Sequence, residues 1–348
     1  MIKSLQSLRF IFAIMIFLHH FTVNGKGLFE AGGTCGVSFF IILSGVVMSL
    51  GYYEKCISSS FSYKKFVLKR IIRLYPLHLL CLIAFIILNP YVLSLSGIVR
   101  LTPNLLLIQS WIPLQDIYFS GNAVSWCLSD MMFFYLIFPF LVRFINMSSN
   151  KKITFISMGI FLIYISAILY MPESKAHRFL YISPIFRLVD FIIGIFIFNI
   201  YIKWGSIIRN RIKGLNVISM GIFTIMFLCL IIAIFPKVHI NYMYAFLYIA
   251  PIGLLILYSL IFENNKGGIL SIFKNMILLK MGEVSFSFYM IHILMIQFLN
   301  KVINKLDIII AWEIKLIIYF IIISLTSLVI YNIFELPISK YLQKKLLS

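Results

Sequence analysis

Arg9 and His20 stand out first, because they place a fixed cation and a titratable base inside one apolar run. Eleven positions separate them. At roughly 100° per residue in an α-helix that is about 1100°, about 20° from three full turns, so both lie on one face roughly 16 Å apart along the axis. His19 points about 80° to one side of that face. An imidazole so placed can take a proton from a reacting hydroxyl. The competing reading is that Arg9 snorkels to an interface while His20 bonds a neighbouring helix.

Four further groups carry possible chemistry. Arg70 and Arg73 share a helical face, with Lys69 one turn from Arg73, in the run Lys69 to Pro76. This makes a cationic pocket that suits phosphate, since guanidinium forks bind oxyanions bidentately; ordinary interfacial anchoring is the alternative. Asp130, near the start of an apolar run, can orient a histidine, bind a sugar hydroxyl, or simply favour its helix N-terminus. Residues 282–292 set Glu283, Ser285, Ser287, Tyr289 and His292 as a polar stripe in an oily stretch. Glu335, near the end of the last apolar run, can pair with Arg9 or an arginine of the third; interhelical bonding is the simpler role for both His292 and Glu335.

These residues must be held by membrane helices. Of 348 residues 62% are apolar and 12% charged, and the mean hydropathy is +1.03, more than a water-facing surface can carry. Ten runs long enough to cross roughly 30 Å of hydrocarbon cover approximately 4–23, 34–52, 71–89, 123–142, 153–171, 183–202, 215–235, 242–262, 281–299 and 316–334. The expected fold is therefore an all-α polytopic bundle of about ten spans, one membrane domain over 1–348. Its longest polar connections are 53–70 and 90–122.

The net charge of +19 is explained by where the cations fall. One set of connections holds Lys3, Lys55 to Arg73, Arg143 to Lys152, Lys203 to Lys213, then Lys266, Lys274 and Lys280, and finally Lys340 to Lys345. The alternate connections hold only Lys26, Arg100, Lys175, Arg178, Lys237, Lys301, Lys305 and Lys315. By the positive-inside rule both termini are cytoplasmic, and no nucleic-acid partner is needed. Arg9, His19 and His20 within the first run, and no small-residue cleavage site, argue against a signal peptide. The five cysteines are scattered and read as packing residues, with no metal site implied.

Taken in order, these segments resemble membrane acyltransferase family 3, whose members O-acylate bacterial surface polysaccharides and related acceptors. Leu8, Arg9 and His20 match its opening pattern, and Gly36 to Gly45 its Gly-Val-x-x-Phe-Phe-x-Leu-Ser-Gly segment. Arg70 and Arg73 match its paired arginines before Leu-Tyr-Pro, and Trp126 to Pro139 its Trp-Ser-Leu-Ser-Val-Glu stretch. Gly282 to His292 and Glu335 to Pro337 match its closing signatures. Two positions depart: Met131 stands where the family usually has an acid, with Asp130 one residue and about 100° away, and Leu336 replaces a common arginine.

The resemblance implies a stand-alone enzyme of the bacterial cytoplasmic (inner) membrane, among whose lipids it would sit. It would transfer acetyl from acetyl-CoA, a substrate rather than a resident cofactor, to a hydroxyl of a polysaccharide or lipid-linked oligosaccharide. The implied roles are His20 and Arg9 as catalytic residues, Arg70, Arg73 and Lys69 as donor-binding residues, and Asp130, His292 and Glu335 as acceptor-binding or orienting residues. Direct transfer and a two-step route through an acyl-His20 intermediate are both open. So are two transport readings: a flippase for lipid-linked sugars, and an acyl carrier supplying a separate transferase. Trp111, Gln115, Asp116 and Tyr118 are candidates for sugar contact, or equally for an interfacial aromatic belt.

Overall fold

The computed structural model describes residues 2–265 and 268–347. Lys266, counted among the cations above, lies outside the described residues. The chain folds as helices α1 (Lys3–His20), α2 (Ala31–Ile57), α3 (Tyr63–Leu88), α4 (Leu95–Leu105), α5 (Gln115–Tyr118), α6 (Trp126–Met147), α7 (Asn150–Tyr170) and α8 (Glu173–Ala176). It continues through α9 (Pro184–Arg211), α10 (Leu215–Ile234), α11 (Ile240–Tyr244), α12 (Ile249–Phe262), α13 (Met276–Lys305), α14 (Trp312–Ile330) and α15 (Leu336–Leu347). The only sheet among the described residues is a hairpin, β1 (Thr22–Val23) with β2 (Lys26–Gly27). Its turn residues Asn24 and Gly25 both have positive φ, as a tight two-residue hairpin turn requires.

Nine segments among the described residues are helical, long and apolar enough to cross a bilayer. They match nine of the ten expected runs. The remaining run is α1, a helix of 18 residues that falls outside this set. Lys3, Gln6, Arg9, His19 and His20 make it more polar than its neighbours. The expected long connection at 53–70 shrinks to residues 58–62, because α2 and α3 extend beyond their apolar stretches. Ser62 starts α3 by accepting the Lys65 amide at 3.3 Å.

The polar helix is wrapped by its neighbours. α1 packs against α2 and α13, and α2 in turn against α9. Small residues permit the close approach, as in membrane bundles where association rests on packing. A Cβ on Gly32 would collide with the Met15 carbonyl, on Gly36 with Ile16, and on Gly282 with the Gln6 carbonyl. Gly45 and Gly194 are likewise set each against the other helix's backbone, at the Phe191 and Ile42 carbonyls. The α1 N-terminus is tied down by Glu263, whose carboxylate accepts from the Lys3 amide at 2.9 Å and from Ser4 Oγ at 2.5 Å. A carboxylate there also complements the helix dipole.

The glycine contacts make a direct prediction. Gly194→Val forces α2 and α9 apart, and overpacking of this kind costs about 1–3 kcal/mol or more. The detergent-solubilised variant should melt several degrees lower in a fluorescence-detected thermal assay. Gly51→Ala, on the same α2 but facing open space, should melt no lower than the wild type.

Candidate functional site

A cleft enters the bundle among α1, α2, α3, α6 and α13, with about 980 Å³ of atom-free space counting its open mouth. Arg9, Arg70 and Arg73 line it, and no carboxylate among the described residues does. Phe40, Cys127 and Tyr289 line it toward the first turn of α6. The position that departs from the resemblance, Met131, is in this wall, one helical turn beyond Cys127.

Each arginine is held differently. Arg70 donates from Nη2 to Tyr52 Oη at 2.9 Å, and its guanidinium carbon lies 4.8 Å from the Tyr52 ring centre and 5.9 Å from that of Tyr135. Arg73 pairs with Glu335 at 2.8 Å. The Glu335 carboxylate, 3% exposed, also accepts from Ser287 Oγ at 2.5 Å. Glu335 thus takes the third-helix arginine of the two partners open to it from sequence. A π-helical turn, Tyr331–Glu335, ends at this residue between α14 and α15; such turns recur at functional sites. Arg9 is half-buried, lines the cleft, and takes part in none of the ion pairs among the described residues. Lys69 is half-buried and does not line the cleft.

His20 meets His292. Nδ1 of His20 lies 3.1 Å from Nε2 of His292 and 3.0 Å from the Ile16 carbonyl oxygen. Nδ1 of His292 lies 2.6 Å from the Tyr289 carbonyl oxygen. The two histidines do not line the cleft, but Tyr289 does, and its ring centre is 5.9 Å from that of His292. His19 turns aside, over Gly33, with Nδ1 2.8 Å from the Glu30 carbonyl oxygen.

The chain between α3 and α6 is fastened over this end of α13. Tyr289 Oη donates to the Val124 carbonyl at 2.9 Å, and Asn122 Nδ2 to the Met290 carbonyl at 2.7 Å. Asn104 and Gln109, both fully buried, donate to Ser125 Oγ at 2.9 and 3.2 Å. Of the residues expected near sugar, Trp111, Gln115 and Asp116 are exposed, with Asp116 paired to Arg100 at 3.3 Å. Tyr118 is buried beside Phe119 and His177.

Asp130 is fully enclosed, and neither carboxylate oxygen has a hydrogen-bond partner among the described residues. It does not line the cleft; Arg187 acts on it electrostatically. Arg187 is a buried cation that sequence reasoning passed over. It pairs with Asp190 at 2.8 Å and donates to Ser38 Oγ at 3.1 Å, holding α9 to α2. The signal was available: opposite charges three positions apart inside the apolar run 183–202 call for the same explanation as Arg9.

Known proteins resemble this chain over most of its length. A family model described as an acyltransferase domain, of acyltransferase family 3, matches residues 2–334. "Acyltransferase MdmB" of Streptomyces mycarofaciens is 26% identical over 329 residues, covering 85% of this chain and 79% of that protein. "Putative O-acetyltransferase SACOL0978" of Staphylococcus aureus strain COL is 24% identical over 360 residues, 97% of this chain. A second staphylococcal protein, "Putative O-acetyltransferase SAS0844" of strain MSSA476, is 24% identical over 358 residues. The chain spans 57% of the length of each of these two. No solved structure matches it. With a match over nearly its whole length, the chain belongs to the membrane acyltransferase family 3 and is an O-acyltransferase.

Proposed function

We propose that this O-acyltransferase moves acetyl from acetyl-CoA to a hydroxyl of a bacterial surface polysaccharide or its lipid-linked precursor, at the cytoplasmic membrane and with both termini cytoplasmic. The observation that carries this reading is the cleft with Arg9, Arg70 and Arg73 in its wall, extending to Tyr289 beside the His292–His20 pair. Guanidinium groups suit the phosphates of the donor. The neutral end at Phe40, Cys127 and Tyr289 suits its thioester arm, which must pass Tyr289 to meet His20. The acceptor approaches from the opposite side, near the exposed Trp111, Gln115 and Asp116.

The chemistry balances without a further group. The acceptor hydroxyl oxygen attacks the thioester carbonyl while the His20 imidazole takes its proton. The new C–O bond forms, the C–S bond breaks, and the proton passes from the imidazolium to the departing sulfur, giving the ester and free coenzyme A. Arg9 orients the donor and stabilises negative charge developing on the carbonyl oxygen.

Acetate esters on cell-surface polysaccharide, read by proton NMR in a deletion strain, test the function. Wild-type protein should restore them and His20→Ala, at matched membrane level, should not. Esters at the same level in every strain would overturn the assignment of acceptor and reaction.

Donor binding has its own test. Arg70→Ala removes charge-assisted contacts worth about 1.5–3 kcal/mol, so KM for acetyl-CoA should rise on the order of 10- to 100-fold with stability little changed. Arg73→Ala should also lower the melting temperature, because it leaves Glu335 buried and unpaired. Adding Glu335→Gln should restore the melting temperature but not KM.

A further inference from the structure

The contacts of the two histidines fix where their protons sit. A backbone carbonyl oxygen can only accept. The 2.6 Å contact of His292 Nδ1 with the Tyr289 carbonyl therefore puts a proton on that nitrogen, and leaves His292 Nε2 with a lone pair in the neutral ring. His20 Nδ1 faces two acceptors at once, that lone pair at 3.1 Å and the Ile16 carbonyl at 3.0 Å. It must carry its proton too. Three of the four ring nitrogens are thus committed.

The fourth is His20 Nε2. It has no hydrogen-bond partner among the described residues, yet it is not among the enclosed, partnerless polar atoms. A proton added to the neutral pair can go only there without setting two N–H groups against each other. We infer that His292 is a positioning residue, accepting the His20 Nδ1 proton at its own Nε2 so that His20 Nε2 is the nitrogen that takes the acceptor's proton. His292 touches no substrate in this arrangement. It holds His20 in one tautomer and one orientation, and stabilises the imidazolium through the bond it already accepts.

The local sequence supports the geometry. The helical carbonyls of Tyr289 and Ile16 lie three and four positions before the respective histidines, so each ring is anchored by its own helix. The same two helices pack tightly further along, where Gly282 lies against the Gln6 carbonyl. The Phe288 ring centre lies 6.5 Å from that of His292 and 6.0 Å from that of Phe17.

This inference rests on His20 as the base, and its test separates the two claims. His292→Phe and His292→Gln are measured beside His20→Ala for initial rate against acetyl-CoA concentration, in purified protein of matched melting temperature. The glutamine amide can present its oxygen where Nε2 of His292 stood, and so still accept. His292→Phe should lower kcat on the order of 10²- to 10⁴-fold, the scale of a tautomer lost from a catalytic histidine, with KM for acetyl-CoA unchanged. His292→Gln should recover kcat to within about tenfold of the wild type. An inactive His20→Ala with a fully active His292→Phe would overturn the positioning role alone, as would equal losses in the Phe and Gln variants. An active His20→Ala would overturn the base itself.

Discussion

The structure depends on one constraint: α1 carries residues that hydrocarbon does not tolerate, and it must nevertheless run through the bundle. A charged side chain at the centre of a membrane helix costs about 2.5–3.5 kcal/mol on insertion scales. Arg9, His19 and His20 sit on a single helix of 18 residues. The chain meets this by surrounding α1 rather than by diluting it. α2 and α13 press against it closely enough that Gly32, Gly36 and Gly282 have no room for a side chain. Once α1 is wrapped, its polar face has to be shared with its neighbours. The cleft and the histidine pair are where it is shared.

The charges buried elsewhere, Glu335, Arg187 and Asp190, follow the same logic in different ways. Arg73 with Glu335, and Arg187 with Asp190, are paired at 2.8 Å. Breaking such a pair by removing one partner is strongly destabilising, whereas the intact pair adds little to stability. The two pairs therefore specify geometry more than they hold the fold: one ties α3 to the turn before α15, and the other, through Ser38, ties α9 to α2. Arg9 differs, since it faces the cleft without an ion-pair partner among the described residues. A cation left open on a cavity wall in low dielectric is poised for a negative charge on the ligand.

Much of this was legible in the sequence, for reasons that differ by residue. Hydropathy located every long helix, because length and apolarity are all a bilayer asks of a span. The helical period put Arg9 and His20 on one face, and Arg70 with Arg73 on another. What it could not provide was partnership across the bundle. That His20 meets His292, 272 positions away, and that Glu335 takes Arg73 rather than Arg9, depend on interhelical packing that no local pattern encodes. Lys69 shows the limit within a single helix: one turn from Arg73 in sequence, it is nevertheless not part of the cleft wall. Arg187 and Asp190, by contrast, carry a signal within the sequence itself, opposite charges three positions apart in one apolar run.

The shift of the acid by one residue, from the position of Met131 to Asp130, has a consequence for the charge of the cleft. About 100° of rotation on α6 separates Met131, in the wall, from Asp130, which is fully enclosed and does not line the cleft. With methionine in the wall, three guanidinium groups line the cavity and no carboxylate among the described residues does, although the Arg73 charge is offset by its pair with Glu335. Focused between low-dielectric walls, such a field favours a ligand with several negative charges on one end. The Phe40, Cys127 and Tyr289 end carries no formal charge and favours an uncharged arm. A polyphosphorylated carrier with a neutral thioester tail has that polarity along its length, whereas a neutral oligosaccharide has it nowhere. On the function proposed above, the cleft is therefore better matched to the donor than to the acceptor, which would reach His20 from the side that the cleft does not line.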